Sequence, residues 1–280
     1  MNLSNRITSA ITEQRLSGRI WLYSNYHCNL ACRYCLTESA PNTPQRALPP
    51  IKMIAVAKQA KELGFTGIGI TGGEPFMLPY IIDVLDEISH ALPITILTNG
   101  TLFQGKRLAQ LTKLANRNIR LQISLDRPDP IKNDEMRGPE NFAKVIQAVP
   151  LLIDKGFQVR IATTVKDQTP EEKQQLKKLI TELGVPSQDH LIRKVVNRGR
   201  AITENLGEHA PLEKLAPELT ISVDGAFWSP FAPTYLNNRL QTDLLLCRRT
   251  TPLAHPAKLL LDYIEQNPQS EKDQDATGFV

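Results

Sequence analysis

The chain has only four cysteines in 280 residues, Cys28, Cys32, Cys35 and Cys247. That is sparse for a disulfide-stapled secreted protein, and the polar stretch from Met1 to Arg19 lacks the apolar core of a signal peptide. No apolar run approaches the roughly 20 residues of a membrane span, which argues against a membrane protein. Charge of one sign is also scarce: 33 Lys and Arg stand against 29 Asp and Glu, a net +4 spread along the chain. Such a balance argues against a dedicated nucleic-acid or membrane-surface protein. The five histidines, His27, His90, His190, His209 and His255, are scattered without ligand spacing. A cytoplasmic protein is expected, in a compartment where thiols stay reduced.

Three of the four cysteines are crowded together. Tyr26 to Leu36 reads Tyr-His-Cys-Asn-Leu-Ala-Cys-Arg-Tyr-Cys-Leu, a C-x3-C-x2-C pattern. Thiols at that density suggest a metal or cluster site. A four-iron cluster normally takes four cysteines. Three would leave one iron without a protein ligand, and such a vacancy accepts a substrate or cofactor. A structural zinc site is the other reading, with His27 or Cys247 as the fourth ligand. The cysteines alone leave both open.

The hydrophobic pattern alternates along the chain, which at 41% apolar and 22% charged residues has the composition of a globular protein with a sizeable core. Residues 1–17 read as a polar lead-in with one helix. Strands are predicted over 19–24, 67–71, 93–98, 119–125, 157–165 and 191–196. Helices are predicted over 51–63, 79–91, 104–116 and 140–155, the last kinked at Pro150. A fifth runs from the Thr169-Pro170-Glu171-Glu172 capping box to Gly184. Six strands alternating with five helices predict a parallel α/β sheet or barrel. In such folds chemistry collects at the carboxyl ends of the strands. Here those ends are the cysteine loop, Gly72-Gly73-Glu74-Pro75, Thr98-Asn99-Gly100, Ser124-Leu125-Asp126 and Val165. After residue 198 the pattern changes to a hairpin around Asp224-Gly225, a last helix over 256–266 and a polar tail over 267–280.

The cysteine triplet, with Tyr34 just before the third cysteine and Gly72-Gly73-Glu74-Pro75 one βα unit later, resembles the radical S-adenosylmethionine (SAM) superfamily over residues 18–198. The resemblance implies a partial (β/α)6 TIM-like barrel with a small C-terminal α+β extension over 199–266. It implies one [4Fe-4S] cluster held by Cys28, Cys32 and Cys35, with the amino and carboxylate groups of SAM on the open iron. Gly72 and Gly73 would then let backbone approach the methionyl ammonium and Glu74 would help fix it by a charge-assisted hydrogen bond, Pro75 completing this SAM-binding turn, while Tyr34 would lie by the adenine. Ser124 would contact the methionine or ribose portion of SAM, and Arg137 its carboxylate. Asn99 and Asp126 could face SAM or substrate, or simply build turns. The implied reaction is reductive cleavage of SAM to a 5′-deoxyadenosyl radical that takes a hydrogen atom from substrate. The implied partner is a flavodoxin or ferredoxin electron donor, acidic and docking near Arg33.

Ser124-Leu125-Asp126, the turn Asn197–Ala201 and Leu219–Gly225 are similar to the SPASM/twitch branch. The departure is that Ala226–Phe231 carries no cysteine, and Cys247 alone cannot hold a second cluster. A degenerate C-terminal cap is therefore expected, with Cys247 a buried apolar residue. The molybdenum-cofactor cyclase lies nearby but needs a second cysteine triplet and a C-terminal Gly-Gly, whereas this chain ends Thr277-Gly-Phe-Val280. Fewer than 30 residues precede Cys28, so a small molecule is expected slightly ahead of a peptide as substrate. Arg193, Lys194, Arg198, Arg200, Arg248 and Arg249 could together bind a substrate phosphate or carboxylate, against the commoner reading of a solvated face. The alternative function is an iron–sulfur electron carrier or scaffold that never cleaves SAM. Such a protein would have no need of the Gly-Gly-Glu-Pro turn or of Ser124.

Overall fold

The computed structural model describes residues 2–209, 211 and 215–267; the tail expected over 267–280 lies outside them except for Asn267. Six strands carry the architecture: β1 (Arg19–Tyr23), β2 (Gly67–Thr71), β3 (Ile94–Thr98), β4 (Ile119–Ser124), β5 (Gln158–Val165) and β6 (His190–Lys194). Each pairs in parallel with the next, in the order of the chain.

The register explains why both faces of the sheet are defined. Ile20, Leu22, Ile68, Ile70, Leu121 and Ile161 belong to the buried core on one face. Because side chains alternate along a strand, Trp21, Tyr23, Leu97, Ser124, Thr164 and Arg193 face the other side. That side is the interior of a curved, open barrel. Gly69 is required there: a Cβ would lie 2.2 Å from the ring of Trp21, its register partner on β1.

The helices are α1 (Leu3–Thr12), α2 (Pro50–Glu62), α3 (Ile81–Ser89), α4 (Gly105–Thr112), α5 (Pro130–Arg137), α6 (Asn141–Asp154), α7 (Pro170–Glu182), α8 (Arg200–Thr203) and α9 (Ala254–Gln266). The α7 capping box forms as its sequence predicts. α6 runs through Pro150 to Asp154. Two helices, α5 and α8, have no counterpart in the sequence reading. The signal for α5 was present: Asp129 caps Lys132 N at 2.9 Å, and Pro130 opens the helix as Pro170 opens α7.

The C-terminal hairpin β7 (Thr220–Ser222) and β8 (Gly225–Phe227) turns at Asp224 as expected. It also extends the main sheet, because β7 pairs in parallel with β1. With β11 (Leu245–Cys247) on β8, the described residues form a nine-stranded sheet in the order β11-β8-β7-β1-β2-β3-β4-β5-β6. The open edge of β1 supplies the reason, and Glu218 ties the join by accepting hydrogen bonds from Arg19 Nη2 at 2.9 Å and Trp21 Nε1 at 2.5 Å. A separate two-stranded ribbon, β9 (Thr234–Leu236) and β10 (Arg239–Gln241), follows the hairpin. Cys247 departs from expectation. It is partly exposed on edge strand β11, where its thiol donates to the Arg249 carbonyl at 3.0 Å. No described helix is long and apolar enough to cross a membrane.

Candidate functional site

The cysteine loop leaves β1 at the carboxyl end of the sheet and is pinned from four directions. Gly73 N donates to Asn25 O at 2.8 Å and Glu74 N to His27 O at 3.0 Å, joining the loop to the turn after β2. The two glycines let these backbones meet. A Cβ on Gly72 would lie 2.4 Å from Asn25 Oδ1, and one on Gly73 2.2 Å from His27 O. The structure thus gives the glycines a packing role against the loop itself, beyond the approach to an ammonium group expected for them. Arg33 N donates to Met136 O at 2.9 Å, fastening the loop to α5. Tyr235 N, on β9, donates to Leu36 O at 2.9 Å.

The fourth restraint is Arg200, which sequence reasoning assigned only to a possible anion patch. Its guanidinium donates to the carbonyls of Cys32 at 2.6 Å and Ser39 at 2.9 Å, and its backbone N to Cys35 O at 2.9 Å. Gly199 makes this approach possible. It has φ +59°, and a Cβ there would lie 2.4 Å from Leu36 O.

Each thiol has its own surroundings. Cys28 is buried, and its Sγ accepts from Leu30 N at 3.4 Å and Asn99 Nδ2 at 3.7 Å. Cys32 Sγ donates to Arg137 O at 3.4 Å. Cys35 Sγ lies 3.7 Å from Thr37 Oγ1, which is bonded to Tyr23 and Ser39 hydroxyls at 2.8 Å each. Burial pushes the Cys28 thiol well up and Cys32 to about 11, so both stay protonated until a metal displaces the proton. Among the described residues, no three His, Cys, Asp or Glu side chains converge as one metal ion would need. Cluster ligands bind separate irons and stand farther apart. N–H donors aimed at a sulfur also suit a cluster thiolate. Of the fourth zinc ligands considered, Cys247 bonds elsewhere and His27 is buried, its ring beside Asn25.

Glu74 is wholly buried, its carboxylate accepting from Phe76 N at 3.0 Å, Thr98 Oγ1 at 2.9 Å and Asn99 N at 2.8 Å. Burial raises it to about 7 against the pull of those three donors. It locks the turns after β2 and β3 together, and Pro75 begins a short 3₁₀ turn capped by it. Asn99 holds its own turn through Thr101 N at 3.0 Å while its amide reaches Cys28 and Asn29. Its turn-building alternative is thus realised, and the same side chain also touches the cysteine loop.

Tyr34, Asp126 and Arg137 form one buried network. Tyr34 Oη donates to Asp126 Oδ2 at 2.5 Å, and Arg137 Nη1 donates to the same oxygen at 3.2 Å and to Tyr34 Oη. Burial works against the Arg137 charge, but Tyr34, Cys32 and Asp126 outweigh it and hold its pKa above the usual value. Arg137 is therefore neither exposed nor wholly open to a ligand carboxylate, although its Nε has no partner among the described residues. Ser124 ends β4 on the interior face. Above the sheet lies a cavity of about 220 Å³ whose wall includes Tyr23, Tyr34, Cys35, Gly72, Arg193 and Phe231.

A three-thiol loop at the carboxyl ends of an open parallel barrel defines a class of cluster-bearing barrel enzymes. Residues 22–180, more than half of the chain, match the family model of the radical SAM superfamily. The chain belongs to the radical SAM superfamily, and its cofactors are a [4Fe-4S] cluster and SAM. It is 31% identical over 182 residues to the antilisterial bacteriocin subtilosin biosynthesis protein AlbA of Bacillus subtilis, covering 63% of this chain and 40% of AlbA. It is 36% identical over 129 residues to the GTP 3′,8-cyclase of Syntrophomonas wolfei, covering 44% of this chain and 38% of the cyclase. The chain thus spans about two fifths of each of these relatives. The solved structure of anSMEcpe with bound AdoMet and Cp18Cys peptide superposes with a TM-score of 0.66 at 13% identity, over 91% of this chain and 84% of that one. That likeness concerns the fold, and it agrees with a partial barrel.

Proposed function

We propose that the chain reductively cleaves SAM and directs the resulting radical at a substrate held in the barrel interior. The observation that carries this reading is the position of Cys35 and Gly72 in the wall of the same 220 Å³ cavity. In this reading Cys28, Cys32 and Cys35 hold the cluster. A cluster held there would supply the one electron needed for reductive cleavage of SAM to methionine and a 5′-deoxyadenosyl radical able to take a hydrogen atom from substrate.

The protein's part is orientation and shielding. Leu30 N and Asn99 Nδ2 support the Cys28 sulfur. Gly72, Gly73, Glu74 and Pro75 shape the wall beside the loop, with Glu74 acting through the backbone it fixes. Tyr34, held by Asp126 and Arg137, and Ser124 flank the SAM site. Residues 18–198 form the catalytic core, and residues 199–266 wall the chamber through Phe231 and brace the loop through Arg200.

The electron comes from an acidic flavodoxin or ferredoxin near Arg33. Arg33 and its partner Glu204 are 44% and 35% exposed, and such a surface pair is weak enough for a donor carboxylate to displace. A cluster held by reduced thiols fits a cytoplasmic location. The likeness to AlbA, named for bacteriocin biosynthesis, supports a peptide on equal terms with a small molecule as substrate.

The test is anaerobic reconstitution with iron and sulfide, then SAM and dithionite, with 5′-deoxyadenosine quantified and Cys32→Ala as control. Wild type should produce it and the variant should not. A cluster-loaded protein that binds no SAM would favour the electron-carrier function instead.

A further inference from the structure

The six C-terminal cations that could have formed one anion patch are split up by the fold. Lys194 pairs with Glu208 at 2.9 Å, and Arg198 with Asp243 through two bonds of 2.8 and 2.9 Å. Arg200 holds the cysteine loop, Arg248 donates to Asp224 O at 2.9 Å and Arg249 to Thr251 O at 3.2 Å. Arg193 is different. It lies on β6 opposite Thr164 of β5 and forms part of the cavity wall. Its Nε and Nη2 are sealed from solvent with no hydrogen-bond partner among the described residues.

Nor does any carboxylate among the described residues pair with it. The charged side chains that act on it are cations with acids of their own: Arg19 is paired with Glu218 at 2.9 Å, and Arg160 lies 3.6 Å from Asp189. Burial, with Arg19 and Arg160 adding to it, lowers the Arg193 pKa to about 10. Arg193 is half-buried, and a guanidinium with two nitrogens closed off from solvent and no acid beside it among the described residues carries a cost that a fold alone has no reason to keep. Its planar fork matches an oxyanion through paired hydrogen bonds, and a half-enclosed chamber strengthens them.

We propose that Arg193 binds an oxyanion, a carboxylate or a phosphate, that the substrate carries into the barrel interior beside Tyr34 and Cys35. This rests on the reading of that interior as the substrate chamber. It defines the substrate class as anionic, whether peptide or small molecule. The SAM carboxylate is the rival ligand. A SAM affinity that falls with Arg193→Gln would assign Arg193 to that group instead.

The experiment titrates inorganic phosphate and succinate, by calorimetry under anaerobic conditions, into cluster-loaded protein saturated with SAM. Wild type, Arg193→Gln and Arg193→Lys are compared, and SAM affinity is measured on each. Wild type should bind at least one probe, and Arg193→Gln should bind it at least about 30-fold more weakly, the scale of losing one partner of a buried charge pair. Arg193→Lys should fall between, since a point charge lacks the fork. SAM affinity should be unchanged. Without anions Arg193→Gln should melt no lower than wild type, and the probe should raise the melting temperature of wild type alone. Failure of wild type to bind either probe, equal binding by Arg193→Gln, or a loss of SAM affinity would each overturn the proposal. 5′-Deoxyadenosine formation is scored on the same wild-type preparation, so that failure of SAM cleavage is told apart from failure of anion binding.

Discussion

Arg200 donates to the carbonyl oxygen of Cys32 at 2.6 Å, across 168 residues of chain. The short turn after β6 therefore controls the shape of the loop after β1. Arg200→Ala should cost about 1.5–3 kcal/mol, the range for a hydrogen bond to a charged group. It should also speed iron loss to a chelator. Urea unfolding and timed iron release check both, and Arg200→Lys should restore the stability only in part.

Iron content follows from the cysteine placement. Reconstituted protein should carry about four irons per chain, one cubane's worth. Cys28→Ala, Cys32→Ala and Cys35→Ala should each lose most of it, whereas Cys247→Ser should keep it. Iron and sulfide assays decide, and about eight irons per chain would contradict a single cluster.

The Asn99 amide reaches the sulfur of Cys28 at 3.7 Å. An N–H aimed at a cluster thiolate favours the more negative, reduced state. Asn99→Leu should lower the reduction potential, read by an EPR-monitored titration. An unchanged potential would confine Asn99 to building its turn.

Asp126 and Arg137 have side chains 1% and 7% exposed, so each is the other's means of being buried. Asp126→Asn should destabilise the protein by about 3–5 kcal/mol by leaving a buried charge uncompensated. Asp126→Asn combined with Arg137→Met should cost less than the single change. Denaturant midpoints of the full mutant cycle test this coupling.

Asp224 joins the hairpin to the cysteine loop by accepting from Tyr26 Oη at 2.7 Å, from Tyr235 Oη at 2.9 Å and from Arg46. Burial would raise its pKa, but these three donors outweigh it and hold the carboxyl below its ordinary value. The unfolded carboxyl titrates near pH ~3.9. The contribution of Asp224 to stability is thus complete above that pH and lost as pH falls through the lower, folded pKa. Asp224→Asn should lower stability at pH 7 and flatten the acid limb of a stability–pH curve.

Much of the fold could be read in the sequence because periodicity is local. The six parallel strands and the five main helices lie where alternation and helical spacing put them, within a few residues. α5 escaped notice because its eight residues are mostly polar and carry little apolar stripe, although Asp129-Pro130 marked its start. The pairing of β7 with β1 escaped because no local pattern says which open edge a short strand will join. Among the candidate residues, the cysteines and the Gly72–Pro75 turn stood out by spacing. Arg200 and Arg193 did not, since an arginine in a sequence carries no sign of whether it will meet a carbonyl, a carboxylate or nothing.

What the sequence determined by itself was the class: a C-x3-C-x2-C loop after one strand and Gly-Gly-Glu-Pro after the next make the radical SAM superfamily readable from residue types and spacing. What only the tertiary structure decided was the division of labour among charges. Glu74 is consumed by three internal donors, Arg137 by Asp126 and Tyr34, and Arg200 by the cysteine loop, while Arg193 is left facing a cavity. Apart from the bond from Phe76 N to Glu74, those assignments depend on contacts between residues 11 to 168 positions apart, set by strand order and register, and no short-range pattern encodes them.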